Sequence, residues 1–208
     1  MIRRAAWLLP VAALALSACG APSHQYVSAG GYGMYFALPA AWQQVPAKQV
    51  TKAQTGWRDD AGNVFRQTVL WQGAWSAAPV DADQVFAAKP PSTPVVFAFV
   101  RDLVGVEQQG IGTDVTAALR DLVVPATTLA KAAVTTDHWD RAGFTGIRQT
   151  ATYVSGGTLQ TTEVVSMLPP KRNRVYAFVA RCSQGCFSSN RASIRAIITS
   201  LTFKEPRG

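Results

Sequence analysis

The chain has 208 residues, of which 48% are apolar and only 15% are charged, with a formal net charge of +8. This composition is typical of a folded globular protein and excludes a largely disordered chain. The basic residues are mostly dispersed along the sequence, which argues against a nucleic-acid-binding protein.

The first eighteen residues have the three parts of an export signal. Residues 2–4 include two arginines, and the apolar run 5–16 is too short to span a bilayer. The tetrapeptide Leu-Ser-Ala-Cys at 16–19 resembles the lipobox of bacterial lipoproteins, which implies cleavage before Cys19 and attachment of diacylglycerol and palmitate there. An ordinary secretory signal with an incidental cysteine is the alternative. We expect an exported protein, lipid-anchored to the cell membrane and facing outside the cytoplasm.

The stretch that follows the lipobox is rich in Gly, Ser and Ala. Residues 19–33 are therefore predicted to be the lipidated N-terminus and a flexible tether, in which His24 is solvated. Fully extended, the residues after Cys19 would reach roughly 45 Å. A single globular domain is predicted for residues 34–208, of a length that can bury a core without metals.

Hydrophobic periodicity predicts the elements of that domain in chain order. The predicted strands are 34–38, 64–72, 95–100, 146–154, 159–168 and 174–181, with a short return segment at 201–203. The predicted helices are 81–89, 113–123 and 189–200. Residues 59–63 and 155–158 have turn composition, and the second of these turns joins two strands as a hairpin. Thr113 is predicted to cap the middle helix. Together these elements predict an α+β fold, an antiparallel β-sheet flanked by helices.

Two cysteines, Cys182 and Cys186, remain once Cys19 carries lipid. Disulfides persist outside the cytoplasm, and Gly185 permits a tight reversal between the two thiols. We predict a structural disulfide between a strand and the helix that follows. A redox-active pair more often has two intervening residues, and a zinc site would need further ligands, with no histidine nearby.

Several of these features are similar to a known family. A strand that ends in Phe-x-Leu-Pro-x-x-Trp, a late hairpin, a buried strand and a last helix ending in Ser-Leu-x-Phe resemble actinobacterial LpqN-type lipoproteins and, more distantly, the PsbP-like fold. The residues that carry the resemblance are Phe36, Leu38, Pro39, Trp42, Ile194, Ile198, Ser200, Leu201 and Phe203. The resemblance implies a PsbP-like layered sandwich and a binding or adaptor role in the cell envelope. It supplies no catalytic residue.

The residues available for catalysis are few. His138 is the one histidine within the predicted domain, and no Gly-x-Ser-x-Gly motif marks a nucleophile. The two histidines of the chain do not make a zinc triad, so we predict no metal, no cofactor and no enzymatic activity. An envelope hydrolase that uses His138 with a serine and a carboxylate is the alternative function.

The expected partners follow from the anchor, the charge and the aromatic residues. Loss of the two signal arginines leaves a net charge of +6, which suits either a solvated surface or attraction to anionic lipid heads and cell-wall polymers. The basic residues 171–174 are predicted to form a solvated turn. Trp42, Trp71 and Trp75 are our candidates for a surface that binds an envelope protein or an amphipathic ligand, although each tryptophan also suits a core. Nucleic acid is a poor candidate, because we expect the protein to be exported.

Overall fold

The computed structural model describes residues 22–57, 60–113, 115, 116, 119 and 131–205. The strands are β1 His24–Ser28, β2 Met34–Pro39, β3 Gln43–Val45, β4 Val69–Ser76, β5 Val95–Asp102, β6 Ala133–His138, β7 Thr145–Ser155, β8 Thr158–Leu168, β9 Arg174–Ser183 and β10 Thr202–Phe203. The α-helices are α1 Ala47–Gln54, α2 Asp60–Thr68, α3 Ala82–Phe86, α4 Gly105–Thr113 and α5 Gln184–Ser200, and a 3-10 turn covers Gly30–Tyr32. The predicted signal peptide and Cys19 lie outside the described residues.

The strands form two antiparallel sheets. The larger sheet has seven strands in the order β3-β4-β5-β9-β8-β7-β6, and the smaller sheet has the order β1-β2-β10. Helices cover both faces of the larger sheet, and the smaller sheet packs beside α5 on one of them. This arrangement confirms the predicted α+β fold.

Alternate side chains of the central strands supply two separate cores. On the α5 face, even-numbered residues of β5 and β9, such as Val96 and Phe178, pack against α5 and against Phe36 of β2. On the opposite face, which we call the α1 face, odd-numbered residues such as Phe97 and Phe99 pack against α1, α2, α3 and α4. The predicted burial of 95–100 on both faces is therefore confirmed.

Most predicted strands lie where periodicity places them. The opening strand, the hairpin strands, the buried strand and the C-terminal return segment appear as β2, β7, β8, β9 and β10. Gly156 and Gly157 form the hairpin turn with φ values of 55° and 76°, a left-handed conformation that glycine adopts without strain. The last predicted helix is α5, which begins five residues earlier than predicted because Ser183 caps it by accepting a hydrogen bond from the Cys186 amide.

The predicted strand at 64–72 is wrong over residues 64–68, and the predicted turn at 59–63 is wrong over residues 60–63. Residues 60–68 form α2, and β4 begins only at Val69. In α2 the buried positions Gly62 and Phe65 are three residues apart, which is a helical spacing, and the Phe65 ring lies 5.0 Å from that of Phe99.

The middle helix also differs from its prediction. Thr113 is helical within α4 and is therefore not an N-cap, and residues 115, 116 and 119 of the predicted helix are helical as well. Most of the predicted helix 113–123 lies outside the described residues.

An ion pair fixes the start of α4 to the end of β5. The buried guanidinium of Arg101 donates to both carboxylate oxygens of Glu107, at 2.9 and 2.6 Å. Glu107 also accepts a hydrogen bond from the Val104 amide, one of the free N–H groups before the helix. The pair is largely withdrawn from water, since 6% of the Arg101 side chain and 18% of the Glu107 side chain are exposed.

Part of the predicted tether is folded. His24 is solvent-exposed, as predicted, but residues 24–28 form β1, which pairs with β2 from His24↔Pro39 to Ser28↔Tyr35. The 3-10 turn and Gly33, at φ 79°, then reverse the chain. The glycines that suggested flexibility therefore build a tight connection, and Val27 packs against the core.

Candidate functional site: the exposed edge of the seven-stranded sheet

Strand β6 forms one edge of the larger sheet and is exposed along its whole length. It pairs on one side with β7, and all six of its residues are solvent-exposed. No strand within the described part of the chain pairs with its outer side. An unpaired edge of this kind presents backbone N–H and C=O groups that a further strand can bind.

A tight turn holds β6 against β7. Ala142 and Gly143 have φ values of 50° and 84°, and the flanking residues Arg141 and Phe144 exchange two backbone hydrogen bonds of 3.0 and 2.8 Å. Phe144 is buried against Tyr176. The Arg141 guanidinium lies 4.4 Å from the centre of the Trp139 ring. This cation–π contact and the buried Phe144 anchor the base of the edge strand.

The same turn determines which backbone groups of β6 point outward. The Trp139 amide donates to the Gly146 carbonyl oxygen, so the backbone groups of Trp139 point toward β7. Along an antiparallel ladder, hydrogen-bonded pairs alternate with pairs that are not hydrogen-bonded. Asp137, Thr135 and Ala133 therefore also direct their backbone groups to β7. Val134, Thr136 and His138 direct theirs away from the sheet.

The side chains of these outward residues lie on the α1 face of the sheet. Thr136 accepts a hydrogen bond of 3.3 Å from the Gln149 side-chain amide. His138 Nε2 lies 3.4 Å from the Thr116 hydroxyl. Val134, exposed at 39%, completes the row. The edge is thus a row of small β-branched and polar groups with Asp137 as its one formal charge.

Behind the edge, the α1 face of β7, β8 and β9 is polar at the end near the β7–β8 turn. Arg181 donates to the carbonyl oxygens of Val85 and Ala87, at 3.3 and 2.6 Å, and to Gln160 Oε1 at 2.9 Å. Burial lowers the pKa of this guanidinium, while the nearby Tyr153 raises it. Gln160 in turn donates to the Tyr153 hydroxyl at 2.7 Å. These bonds tie the sheet to the end of α3 and leave the edge strand itself uncovered.

On the α5 face, an ion pair keeps β7 and β8 in register. Glu163 is 4% exposed and pairs with the half-exposed Arg148. An unpaired carboxylate at this depth would be costly, so Arg148 stabilises the charge. Strand β7, which pairs with β6, is therefore held by side-chain contacts on both faces of the sheet.

No family model matches the chain, and no curated protein sequence matches it either. Solved structures do resemble it. The crystal structure of LpqN, involved in cell envelope biogenesis of Mycobacterium tuberculosis, matches with a TM-score of 0.50 and 14% identity over 87% of this chain and 90% of LpqN. The solution structure of CyanoP, the PsbP of Synechocystis sp. PCC 6803, matches with a TM-score of 0.50 and 10% identity over 92% of this chain and 99% of CyanoP. The fold is shared with LpqN and CyanoP. The Saccharomyces cerevisiae Ran-binding protein Mog1p has a TM-score of 0.46 at 8% identity, over 88% of this chain and 96% of Mog1p.

His138 is not placed for hydrolytic chemistry among the described residues. Its neighbour Asp137 projects to the opposite face of the strand, because side chains alternate along β6. Asp140 instead accepts a hydrogen bond from the Gly146 amide. The described groups around His138 therefore do not form the chain of nucleophile, base and carboxylate that a triad needs.

The three candidate tryptophans do not form one surface. Trp42 and Trp75 are core residues, exposed at only 7% and 3%, and this corrects their assignment to a binding surface. Trp75 packs edge-on against Phe36 at 5.3 Å. Trp71 is half-buried beside Trp75. Strand β4 places Trp71 and Trp75 on the α5 face, where Trp75 meets Phe36 of β2.

The predicted disulfide is present. Cys182 lies near the end of β9 and Cys186 lies in the first turn of α5, with their Cα atoms 6.0 Å apart. Gly185 is part of the helix, so the reversal expected at this residue is absent. The bridge joins the strand directly to the helix that follows it.

We expect both sulfurs to be unreactive in mature protein that is denatured without reduction, because neither is a free thiol. Alkylation followed by mass spectrometry measures this, and a reduced sample that gains two adducts is the positive control. Two adducts in the unreduced sample would contradict the disulfide.

Edge strand β6 was missed by the sequence analysis. The segment Ala-Val-Thr-Thr-Asp-His has three β-branched residues in a row, which favour a strand, but it lacks the apolar alternation of a buried strand.

Within the described residues, no cluster of His, Cys, Asp and Glu could hold a metal ion. In the same part of the chain no helix is long and apolar enough to cross a bilayer.

Proposed function

We propose that the protein is a lipoprotein of the cell envelope, anchored to the membrane through lipid on Cys19, that acts as a non-catalytic binding or adaptor module. The observation that carries the proposal is the exposed edge strand β6, whose outward backbone groups at Val134, Thr136 and His138 have no partner strand in the described residues. The lipobox supports the anchor. The fold shared with LpqN, a protein involved in cell envelope biogenesis, supports the setting.

The occupant that fits this edge is an extended segment of a protein partner. A strand that pairs with β6 would satisfy a donor and an acceptor at every second residue, which is the mode of β-augmentation. An amphipathic ligand fits less well, because Trp42 and Trp75 are buried in the core. The edge also lacks the lysines and prolines with which many proteins block such pairing.

Replacing Thr136 with proline is expected to abolish partner binding while preserving the fold. The Thr136 amide points outward, so proline at this position removes a donor to the partner and no bond to β7. The measurement is photo-crosslinking in living cells with p-benzoylphenylalanine at the exposed position Thr135. The discrete protein adduct should disappear in Thr136→Pro, and this variant should fail to complement a deletion strain.

Thr136→Ala is the matched control, because it removes the side chain and keeps the amide. It should retain both the adduct and complementation, and so should His138→Ala. Hydrogen exchange with the crosslinked partner, once purified, should slow at the amides of residues 134, 136 and 138. An unchanged adduct and full complementation in Thr136→Pro would exclude docking at this edge. A folded but inactive His138→Ala beside an active Thr136→Pro would instead favour the hydrolase.

A further inference from the structure

The outer face of the smaller sheet carries exposed tyrosines. The exposed residues that point away from the core on this face are His24, Tyr26, Ser28, Tyr35 and Thr202. Tyr26 is 87% exposed and Tyr35 is 37% exposed, which are high values for aromatic side chains in a folded domain. The opposite face of the same sheet is buried against α5.

This face lies close to the position of the proposed lipid. Because β1 begins at His24, only residues 20–23 separate the sheet from Cys19. Those few residues span ~17 Å at most when extended, compared with the longer reach predicted for a tether that ended at residue 33. A lipid on Cys19 would therefore keep β1 next to the membrane surface, because these few residues allow no larger separation.

Positive side chains lie near Tyr35 and Tyr32, at the end of the smaller sheet where β1 turns into β2. Lys204 Nζ lies 5.7 Å from the centre of the Tyr35 ring. At the turn between β1 and β2, the Arg174 guanidinium lies 5.5 Å from the centre of the Tyr32 ring. Arg174 begins β9 directly after the exposed basic loop 171–173, so the loop lies at this end of the smaller sheet. The acidic groups nearby are Glu205 and Asp102, and Asp102 is already paired with Arg174.

We propose that the outer face of the smaller sheet rests on an anionic lipid surface, an orientation that depends on the proposed lipidation of Cys19. Tyr26 and Tyr35 lie at headgroup level, where tyrosine places its ring among the upper acyl chains and its hydroxyl in water. Lys204 and the basic loop 171–173 face lipid phosphates, to which each cation is attracted near a charged surface. The anchor makes this contact intramolecular, so weak contacts suffice.

The test uses the full lipidated protein, reconstituted into vesicles of phosphatidylglycerol and phosphatidylcholine. An environment-sensitive NBD label is attached to Ser28→Cys, on the proposed contact face. Val154→Cys is the matched control, because Val154 is 68% exposed and lies at the end of the larger sheet opposite the basic loop. The label at position 28 should shift to the blue and be quenched by lipids with a shallow doxyl group, whereas the label at position 154 should do neither.

A second variant separates the face from the anchor. The triple change Tyr26→Ser, Tyr35→Ser and Lys204→Ser should still float with vesicles but lose the quenching at position 28, and higher salt should weaken that quenching in the parent protein. Equal responses of the two labels in protein that floats would overturn the proposed orientation and leave the anchor intact. Protein that does not float at all would overturn the anchor, and with it this orientation.

Discussion

Glu107→Gln is expected to lower the free energy of unfolding by about 3 kcal/mol, because it leaves the Arg101 guanidinium buried without a countercharge. Only 6% of the Arg101 side chain is exposed, so water cannot replace the lost carboxylate. The substitution also weakens the bond to the Val104 amide that begins α4. Urea denaturation followed by circular dichroism measures the change.

A second ion pair that also includes a residue of β5 is the control. Asp102 and Arg174 meet at 3.0 Å, but 48% of the Asp102 side chain is exposed. Asp102→Asn should therefore cost at most about 1 kcal/mol. In the double variant Arg101→Met with Glu107→Gln, much of the loss should be recovered, because the buried charge is gone. Equal losses for Glu107→Gln and Asp102→Asn would show that burial does not set the strength of these pairs.

The contribution of this pair should depend on pH. Burial raises the pKa of Glu107, but the hydrogen bonds from Arg101 and Val104 and the charge of Arg101 together bring it below its ordinary value. The unfolded state then binds more protons in the interval between the two pKa values, so stability rises with pH there. The difference between the parent protein and Glu107→Gln should be full above the ordinary glutamate pKa. It should shrink as the pH falls through the lower pKa of the folded state.

The central sheet could be predicted from the sequence because its signals are local. The apolar run of β5 and the two glycines of the β7–β8 turn each determine their own structure. Helix α2 could not be predicted in the same way. Its Asp-Ala-Gly-Asn start has turn composition, and it is helical because Phe65 packs on β5 and Arg66 donates to the Gln54 carbonyl.

The candidate site is harder to predict because its defining property is not a residue type. Edge exposure of β6 depends on strand order, which places β7 between it and the rest of the sheet. The tryptophans show the opposite error, because residues predicted to form a binding surface lie in the core. An aromatic residue suits a core and a binding surface equally in the sequence, and only the pairing of β4 with β5 puts Trp75 inside.

The N-terminal stretch shows how pairing overrides composition. Residues 20–33 contain the small residues of a linker. In β1, however, Gln25 and Val27 point toward the core while Tyr26 points outward. The folded part of the chain therefore includes β1, which lies before the predicted boundary at residue 34. This increases the importance of Cys19, since its lipid would determine orientation as well as location.

Cys19→Ser is expected to abolish lipid attachment completely, because serine lacks the thiol that receives diacylglycerol. The proposed anchor would be strong, because each buried methylene contributes ~0.8 kcal/mol and two or more acyl chains hold a protein stably, whereas one chain gives only marginal binding. Metabolic labelling with radioactive palmitate and the mass of the mature N-terminus measure the outcome. Ser17→Ala is the matched control, since it keeps a small residue before the cysteine, and it should be labelled and cleaved normally.

Membrane fractionation alone is not decisive, because an uncleaved apolar signal can also hold the variant at the membrane. Uptake of labelled palmitate by Cys19→Ser, with a mature chain that still begins at residue 19, would exclude Cys19 as the lipid site and remove the basis for the proposed orientation of β1.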